Sequence, residues 1–341
     1  MNNTDDRSSR FSPVLRAFLA ASFLASTLFC TSGCIVIPVG DLLKGPRLQE
    51  QVLQEGAGFF EKEKIAVIDI SGVITAHESN QLLSSKPNSV AEIKARLDWA
   101  REDGEVKAVV LRIASPGGEV TACDILHKEV LRFREETKVP VVACIVDQGA
   151  SGGYYIACAA DVVMAHPTAI VGSIGVIVQS FDLSGLLSKI GVNVDPIKSS
   201  EKKDISSIFR SRTPEEREVL QKLVDDMYHR FIDVVTKGRP DLSREEVVDL
   251  ADGRVISGIE AAEVKLVDRT GYLDDAVEEA GRLGKVSSPT VIRYTRKAQG
   301  GSNIYTHLGL SPVSSQAAVD FNLRWNPGMF PTTQFYYLWR P

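Results

Sequence analysis

The residues best suited to nucleophilic chemistry lie in a stretch of small residues around Ser151. Residues 147–153 read DQGASGG, after the β-branched apolar run 141–146 and before a helical apolar pattern. A serine at a strand-to-helix junction faces the free N–H groups and the dipole of the helix, which favour a developing oxyanion. The two following glycines leave room for a substrate backbone and expose the Gly152 N–H. The pattern indicates a serine nucleophile, and a plain helix N-cap is the alternative interpretation.

Alternating strand and helix patterns surround this serine. Buried-strand patterns cover residues 65–70, 106–113, 141–146, 161–164 and 169–177. Helical patterns follow a capping box at Ser89, the turn at 115–118, Ser151 and a second capping box at Thr213. This alternation predicts an α/β fold with a largely parallel sheet and right-handed crossovers.

The turn at residues 115–118, SPGG, is expected on the same edge of the sheet as Ser151. In parallel sheets the reactive groups gather beyond the carboxyl ends of the strands, and both features follow such an end. The backbone N–H of Gly117 or Gly118 would then supply a second oxyanion donor.

Composition excludes several other classes of function. The chain has 341 residues, 44% of them hydrophobic, which is enough for one large α/β domain or two small ones. A net charge of −5 argues against a nucleic-acid partner. The sequence has no zinc-ligand spacing, no dinucleotide-binding glycine motif and no phosphate loop. We therefore expect no metal and no cofactor, and chemistry carried by side chains.

The N-terminus carries a targeting signal. Three arginines precede an uncharged apolar run, Ala17 to Cys30, and the segment ends in small residues before Cys34. Residues 1–34 therefore resemble a lipoprotein-type signal with Cys34 as the lipidation candidate. An uncleaved anchor is the alternative, because residues 17–39 are long enough to span a bilayer. Both interpretations place the folded part on the extracytoplasmic side of the inner (plasma) membrane. Residues 35–62 are predicted to be a tether.

Five motifs carry a family resemblance. They are LRIASPGG at 111–118, GASGGYY at 149–155, GSIGV at 172–176, IKS at 197–199 with KKDI at 202–205, and ADGRV at 251–255. In order and spacing they resemble the bacterial signal peptide peptidase (SppA) family, from about residue 64 to residue 275. The resemblance implies a ClpP/crotonase-like parallel sheet with flanking helices, in a single catalytic domain over residues 63–286. Residues 287–341 are then an extension, partly irregular, that contains one strand at 290–294.

The resemblance also implies the roles of particular residues. Ser151 would be the nucleophile, Lys203 the general base, and Ser173 a hydroxyl that orients the lysine. The backbones of Gly152 and of Gly117 or Gly118 would form the oxyanion hole. Many relatives have Asn where Ala114 stands here, so a polar support beneath the glycine turn is expected to be missing.

The residues alone leave the choice of base open among the lysines. Lys198, Lys202 and Lys203 lie close together, and only a neutral lysine can accept a proton from serine. Lys203 is preferred because it lies in the matched motif, and Lys198 comes second. A histidine base is not expected, because nothing pairs His166 with an acid.

These features predict a membrane-associated serine endopeptidase that hydrolyses hydrophobic peptides, such as remnant signal peptides, outside the cytoplasm. A crotonase-type acyl-CoA enzyme and a catalytically inactive membrane scaffold are the alternatives. We also expect a homo-oligomer whose sites are shared between chains. A helix at 183–190 and a strand at 192–197 separate Ser173 from Lys203, and the apolar stripe after Thr213 offers a contact surface. The aromatic run 335–339 would dock on a neighbour or on lipid headgroups, or be disordered.

Overall fold

The computed structural model describes residues 48–56, 63–77, 79–81, 84–86, 88–296 and 335–339. The predicted targeting segment, Cys34 and the first part of the predicted tether lie outside the described residues. In the ranges that are described, no helix combines the length and the apolar character that a membrane crossing needs.

The core of the fold is a mainly parallel sheet. The strands, in chain order, are β1 (Gln49–Gln54), β2 (Lys64–Ser71), β3 (Ser79–Gln81), β4 (Ser84–Lys86), β5 (Val106–Ser115), β6 (Gly117–Glu119), β7 (Val141–Ala150), β8 (Val162–Ala165), β9 (Ile170–Gly172), β10 (Ile177–Val178), β11 (Val255–Ser257), β12 (Arg269–Thr270), β13 (Thr290–Thr295) and β14 (Phe335–Leu338). The main sheet has the order β1-β13-β2-β5-β7-β8-β12, and β9 pairs with both β7 and β11. A second sheet has the order β10-β14-β6, and β3 pairs with β4.

Helices cover both faces of the main sheet. They are α1 (Ser89–Glu102), α2 (Val120–Thr137), α3 (Gly152–Ala157), α4 (Ser184–Lys189), α5 (Pro214–Gly238), α6 (Arg244–Leu250), α7 (Gly258–Glu263) and α8 (Leu273–Gly284), with a 3-10 turn at Glu201–Asp204. On β2, Ala66 and Ile68 belong to the core cluster that includes α1 and α2, whereas Ile65 and Val67 pack with α8. A strand buried on both faces is apolar at every position, as the sequence indicates. The predicted α/β class is confirmed.

Local details differ from the predicted elements at two places. Asn88, not Ser89, caps α1, since its Oδ1 accepts the Ala91 N–H at 2.8 Å. The Ser89 hydroxyl instead donates to the Val73 carbonyl at 3.3 Å. The strand predicted at 192–197 does not form, and Ile197 is fully exposed. An alternating apolar pattern gives a strand only where another strand pairs with it, and no described strand lies beside this one.

The main sheet also extends past the predicted domain boundaries. β1 lies within the predicted tether, and β13 lies within the predicted extension, where it pairs with β1 on one side and β2 on the other. Ile292 of β13 is completely buried. The aromatic run at 335–339 is likewise not an outward-facing tail, because it forms β14 between β6 and β10. A segment with strand propensity pairs with a strand edge that is otherwise unpaired, and its apolar side chains are then buried.

We predict that Ile292→Ala lowers the free energy of unfolding by about 2–5 kcal/mol, the usual cost of truncating a fully buried isoleucine. Ile259→Ala is the matched control, since Ile259 is 54% exposed on α7 and should change stability by less than about 1 kcal/mol. Chemical denaturation of both variants measures the difference. Equal stabilities would show that β13 is dispensable to the core.

Candidate active site

Ser151 lies where β7 leaves the sheet and α3 begins. The Ser151 N–H donates to the Gly172 carbonyl at 2.7 Å, directly beyond the paired residues Ala150 and Gly172. Its backbone has φ 52° and ψ −115°, a conformation that costs a non-glycine residue free energy and is concentrated at functional sites. The side chain makes no capping hydrogen bond to α3. The N-cap interpretation therefore has no support in the structure.

The glycine turn lies against the residue that follows this serine. A Cβ on Gly152 would lie 2.4 Å from the Cys123 Sγ and 3.1 Å from the Gly117 Cα, and a Cβ on Gly117 would lie 2.6 Å from the Gly152 nitrogen. These distances are too short for a side chain at either position. Glycine is required at both because two backbone segments approach each other here. The turn and the serine thus lie on one edge, as the sequence predicts.

The glycine turn has a polar support despite the alanine at 114. The Ser115 hydroxyl donates to the Gly72 carbonyl at 2.7 Å and accepts the Gly117 N–H at 3.1 Å. Ala114 packs in the apolar core on the α8 side of the sheet. The expected loss of support is therefore wrong, since Ser115 holds the turn. Because the Gly117 N–H is engaged, Gly118 and Gly152 are left as the candidate donors to an oxyanion.

Ser173 lies at the end of the neighbouring strand. It follows Gly172, the residue whose carbonyl holds Ser151, and its own N–H donates to the Arg254 carbonyl at 2.6 Å. Ser173 is buried and has φ 51°, which places two serines with left-handed backbones at the ends of β7 and β9. The structure therefore brings Ser173 to the edge that carries Ser151.

Lys203 is not brought to Ser151 by any hydrogen bond. It lies in the 3-10 turn Glu201–Asp204 and is exposed, and its side chain forms no hydrogen bond or ion pair within the part of the chain that is described. Lys198 lies 2.9 Å from the Asp204 carboxylate, and this hydrogen bond raises the lysine pKa. This ion pair disfavours Lys198 as a base. Lys202 and Lys203 have no such partner among the described residues, and of these two only Lys203 is the lysine that the motif resemblance indicates.

His166 has no partner for triad chemistry. It packs against the ring of Tyr272, with centroids 5.1 Å apart, and burial lowers its pKa. Over the described ranges, no hydrogen bond joins it to an acid.

An ionic network anchors the segment that carries Lys203. The Arg210 guanidinium contacts Asp204 at 2.7 Å and Glu216 at 2.5 Å. Glu216 also accepts the Thr213 N–H at 3.0 Å, so that it completes the cap of α5. The hydrogen bonds from Arg210 lower the pKa of Glu216 to about 2 and hold the pKa of Asp204 well below its usual range. Both carboxylates are therefore ionised at neutral pH, and the segment is attached to α5 through Arg210.

Tyr337 of β14 is a part of this site that sequence reasoning missed. Tyr337 pairs with Gly118, and its carbonyl oxygen would lie 1.9 Å from a Cβ on Gly117. Its ring is completely buried against Tyr155 and Phe231. The strand propensity of the aromatic run was visible in the sequence, but its partners in the fold were not.

The geometry of the site indicates the class of the protein. A strained, buried serine beside glycine N–H groups at the edge of a parallel sheet is an arrangement that suits a serine-type hydrolase.

Comparison with known proteins shows the family. The model for peptidase family S49 matches residues 133–287. A protein of Enterococcus faecium that bears the name signal peptide peptidase SppA is 32% identical over 296 residues, covering 85% of each chain. A protein of Methanocaldococcus jannaschii named as a protease is 36% identical, covering 70% of this chain and 77% of its own length. Protease 4 of Haemophilus influenzae is 34% identical over 67% of this chain but only 36% of its own length. The chain belongs to peptidase family S49.

Membership of this family makes the chain a serine-type peptidase and confirms the resemblance noted in the sequence. It does not support the two alternatives, an acyl-CoA enzyme and an inactive scaffold.

We predict that Arg210→Ala exposes residues 179–212 to limited proteolysis, because the variant loses the only side chain that contacts both Asp204 and Glu216 in the described structure. Arg244→Ala is the control, since it removes an exposed ion pair with Asp233 elsewhere and should leave the cleavage pattern unchanged. An unchanged pattern in Arg210→Ala would contradict the anchoring role.

We predict that acid also exposes residues 179–212 to proteolysis in the unmodified chain. The pKa of Glu216 in the folded chain is about 2, against an ordinary value of 4.5. The contribution of this carboxylate to the stability of the folded chain is therefore complete at a pH above its ordinary pKa. It is lost as the pH falls toward the pKa that the carboxyl has in the folded chain. Limited proteolysis across this acid range, with an acid-tolerant protease, measures the release.

Proposed function

We propose that the chain is an endopeptidase in which Ser151 is the nucleophile and Lys203 the general base, and that it hydrolyses hydrophobic peptides such as remnant signal peptides outside the cytoplasm. The observation that carries the proposal is the backbone of Ser151, held at φ 52° within contact of the glycine turn. Strain of this kind persists only where the surrounding structure imposes it.

The first chemical step forms the acyl-enzyme. The Ser151 hydroxyl oxygen attacks the peptide carbonyl carbon, its proton passes to the neutral Lys203 amine, and the carbonyl π electrons move to the oxygen. The N–H groups of Gly118 and Gly152 donate to that oxyanion, since Ser115 already accepts the Gly117 N–H. The C–N bond then breaks, and the leaving nitrogen takes the proton from Lys203.

The second step releases the acyl group. A water molecule attacks the ester, gives one proton to Lys203, and forms the carboxylic acid as the C–O bond to Ser151 breaks. Lys203 then returns its proton to the serine oxygen. Ser173 has the role of orienting the lysine, because it lies at the end of β9, beside the residue that holds Ser151. No metal or cofactor takes part in this scheme.

The proposal includes a site shared between the chains of a homo-oligomer, since no hydrogen bond joins Lys203 to Ser151 among the described residues. The segment between β10 and α5 carries exposed apolar side chains together with Lys203. They are Phe181, Leu186, Ile190, Val192, Val194 and Ile197. Val219 and Leu223 extend this apolar surface onto the first half of α5, whereas Phe231 and Val234 of the same stripe are core. We propose that this surface docks on a second copy and delivers Lys203 to the Ser151 of that copy.

Membrane attachment completes the proposal. The arginines before residue 17 and the apolar run behind them support attachment through the N-terminus, with Cys34 as the lipidated residue. This would place the peptidase domain on the extracytoplasmic side of the inner membrane. The net charge of −5 argues against a nucleic-acid partner.

We predict that Ser151→Ala and Lys203→Ala each reduce peptide hydrolysis by a factor of about 1,000 or more, and that the double variant is no worse, because members of one catalytic unit are not additive. Lys202→Ala is the matched control, an exposed lysine one residue away, and should retain activity. Labelling with a fluorophosphonate probe should disappear in Ser151→Ala. Normal turnover by Lys203→Ala would remove the lysine from the mechanism.

Mixing the two inactive variants tests the shared site. Ser151→Ala and Lys203→Ala chains are combined after dissociation and allowed to reassemble. We expect partial recovery, because some sites then pair an intact serine with an intact lysine from its neighbour. Each variant taken alone through the same cycle is the control. A mixture as inactive as its components, with reassembly confirmed by sizing, would show that each chain holds its own complete site.

A further inference from the structure

A cavity separate from the candidate active site lies between α2, the second half of α5 and the residues that follow α3. Its volume is about 380 Å³, which falls within the range of small-molecule sites in proteins, roughly 300–1,000 Å³. Basic side chains from both helices line it: Lys128 and Arg134 of α2, and Arg230 and Lys237 of α5. None of the residues to which we assign a role in catalysis lines this cavity.

The cavity concentrates positive charge in a chain whose net charge is −5. Four cations line it, and two carboxylates pair with two of them: Asp161 contacts Arg134, and Asp124 contacts Arg230 at 3.0 Å. Four positive charges against two negative charges leave an excess of two. Like charges that are gathered in one place repel one another and destabilise the folded chain. The excess therefore indicates a ligand of opposite charge.

Three of the four cations have donor groups left for such a ligand. Each nitrogen of the Arg134 guanidinium already has a partner within the protein, so this side chain holds the wall of the cavity. Arg230 donates to Asp124 through Nε and Nη2, which leaves its Nη1 group outside that pair. Lys128 and Lys237 are exposed, and neither ammonium group has a partner among the residues that the structure describes.

The ends of the helices do not explain this group of cations. A helix favours cations within its last turn, where its carbonyl groups lack partners. Lys237 lies in the last turn of α5, but Lys128 lies in the middle of α2, and Arg230 lies about two turns before the end of α5. The helix end therefore accounts for Lys237 alone.

A buried histidine in the cavity wall is subject to the field of these cations. Burial lowers the pKa of His127 to about 4, Asp124 opposes this effect, and Arg230, Lys128 and Arg134 add to it. His127 is therefore neutral at neutral pH and leaves the charge excess at two. Because cations from α2 and from α5 both act on this one ring, they face the same space.

We propose that this cavity binds a phosphomonoester dianion. At pH 7 a phosphomonoester carries a charge of about −1.5 to −2 and has three strong acceptor oxygens. These features match the excess of two positive charges and the three donor groups, on Lys128, Lys237 and Arg230. Leu131 and Val234 also line the cavity and would contact the organic part of the ligand. A phosphodiester or a carboxylate carries a single charge and would leave half of the excess unbalanced.

The first test measures the binding of glycerol 3-phosphate, a soluble phosphomonoester, to the full chain by titration calorimetry at constant ionic strength. We expect one ligand per chain, bound saturably with a Kd on the order of 1 mM or tighter. Glycerol, which lacks the phosphate, is the control and should not bind. The Ser151→Ala variant should bind as the unmodified chain does, since the cavity is independent of the proposed nucleophile. Absence of saturable binding overturns the proposal.

The second test places the ligand in the cavity. Lys128→Gln and Lys237→Gln should each weaken the binding of glycerol 3-phosphate about tenfold, the effect of losing one hydrogen bond from a charged donor. Lys222→Gln is the matched control, since Lys222 is an exposed lysine of α5 outside the cavity, and it should bind normally. Unchanged affinity in both cavity variants, even with lowered stability, would overturn the site.

The third test identifies the source of the phosphate group. Dihexanoyl phosphatidic acid is a lipid phosphomonoester, and dihexanoyl phosphatidylglycerol is the corresponding phosphodiester; both are titrated into the full chain as soluble monomers. Phosphatidic acid that binds more tightly than glycerol 3-phosphate would assign the site to a lipid headgroup. Phosphatidic acid that binds equally or more weakly would assign it to a soluble phosphomonoester. Phosphatidylglycerol that binds as tightly as phosphatidic acid would overturn the choice of a dianion.

Discussion

The hydrogen bond from the Ser151 N–H to the Gly172 carbonyl holds the chain at the point where β7 turns out of the sheet. A serine with φ 52° is stable there only because both neighbours of this bond are fixed: β7 is buried between β5 and β8, and β9 is paired with β11. The strained turn ends β7 and starts α3 at Gly152. The pairing of the strands thus fixes the backbone of Ser151, and the residues around Ser151 would not hold this conformation by themselves.

The position of the glycine turn also depends on the turn at Ser151. Once Gly152 is placed by the serine turn, the space left between it and Gly117 admits no side chain, because a Cβ on either would approach within 3.1 Å of the other's backbone. Ser115 then takes the Gly117 N–H, which leaves the next amide, at Gly118, directed toward β14. On the proposed mechanism, two oxyanion donors arise in this way from one contact between backbones.

The central strands and the position of the site could be predicted from the sequence for one physical reason. Strands buried on both faces are continuous apolar runs, and reactive groups follow their carboxyl ends. The partners of β13 and β14 could not be predicted, because strand pairing joins residues far apart in the chain: Ile292 lies beside Ala66, and Tyr337 beside Gly118. The same limit explains the strand wrongly predicted at 192–197.

The lysine side chain in water is charged at neutral pH. Proton transfer from serine requires it to be neutral, and desolvation is the strongest means of making it so. Lys203 follows a run of exposed apolar residues, and the ion pair between Arg210 and Asp204 anchors its segment. On the proposed mechanism, covering that segment with a second chain would remove water from the lysine at the moment that it meets a serine. Assembly would then create the base as well as position it, and a free chain would be inactive.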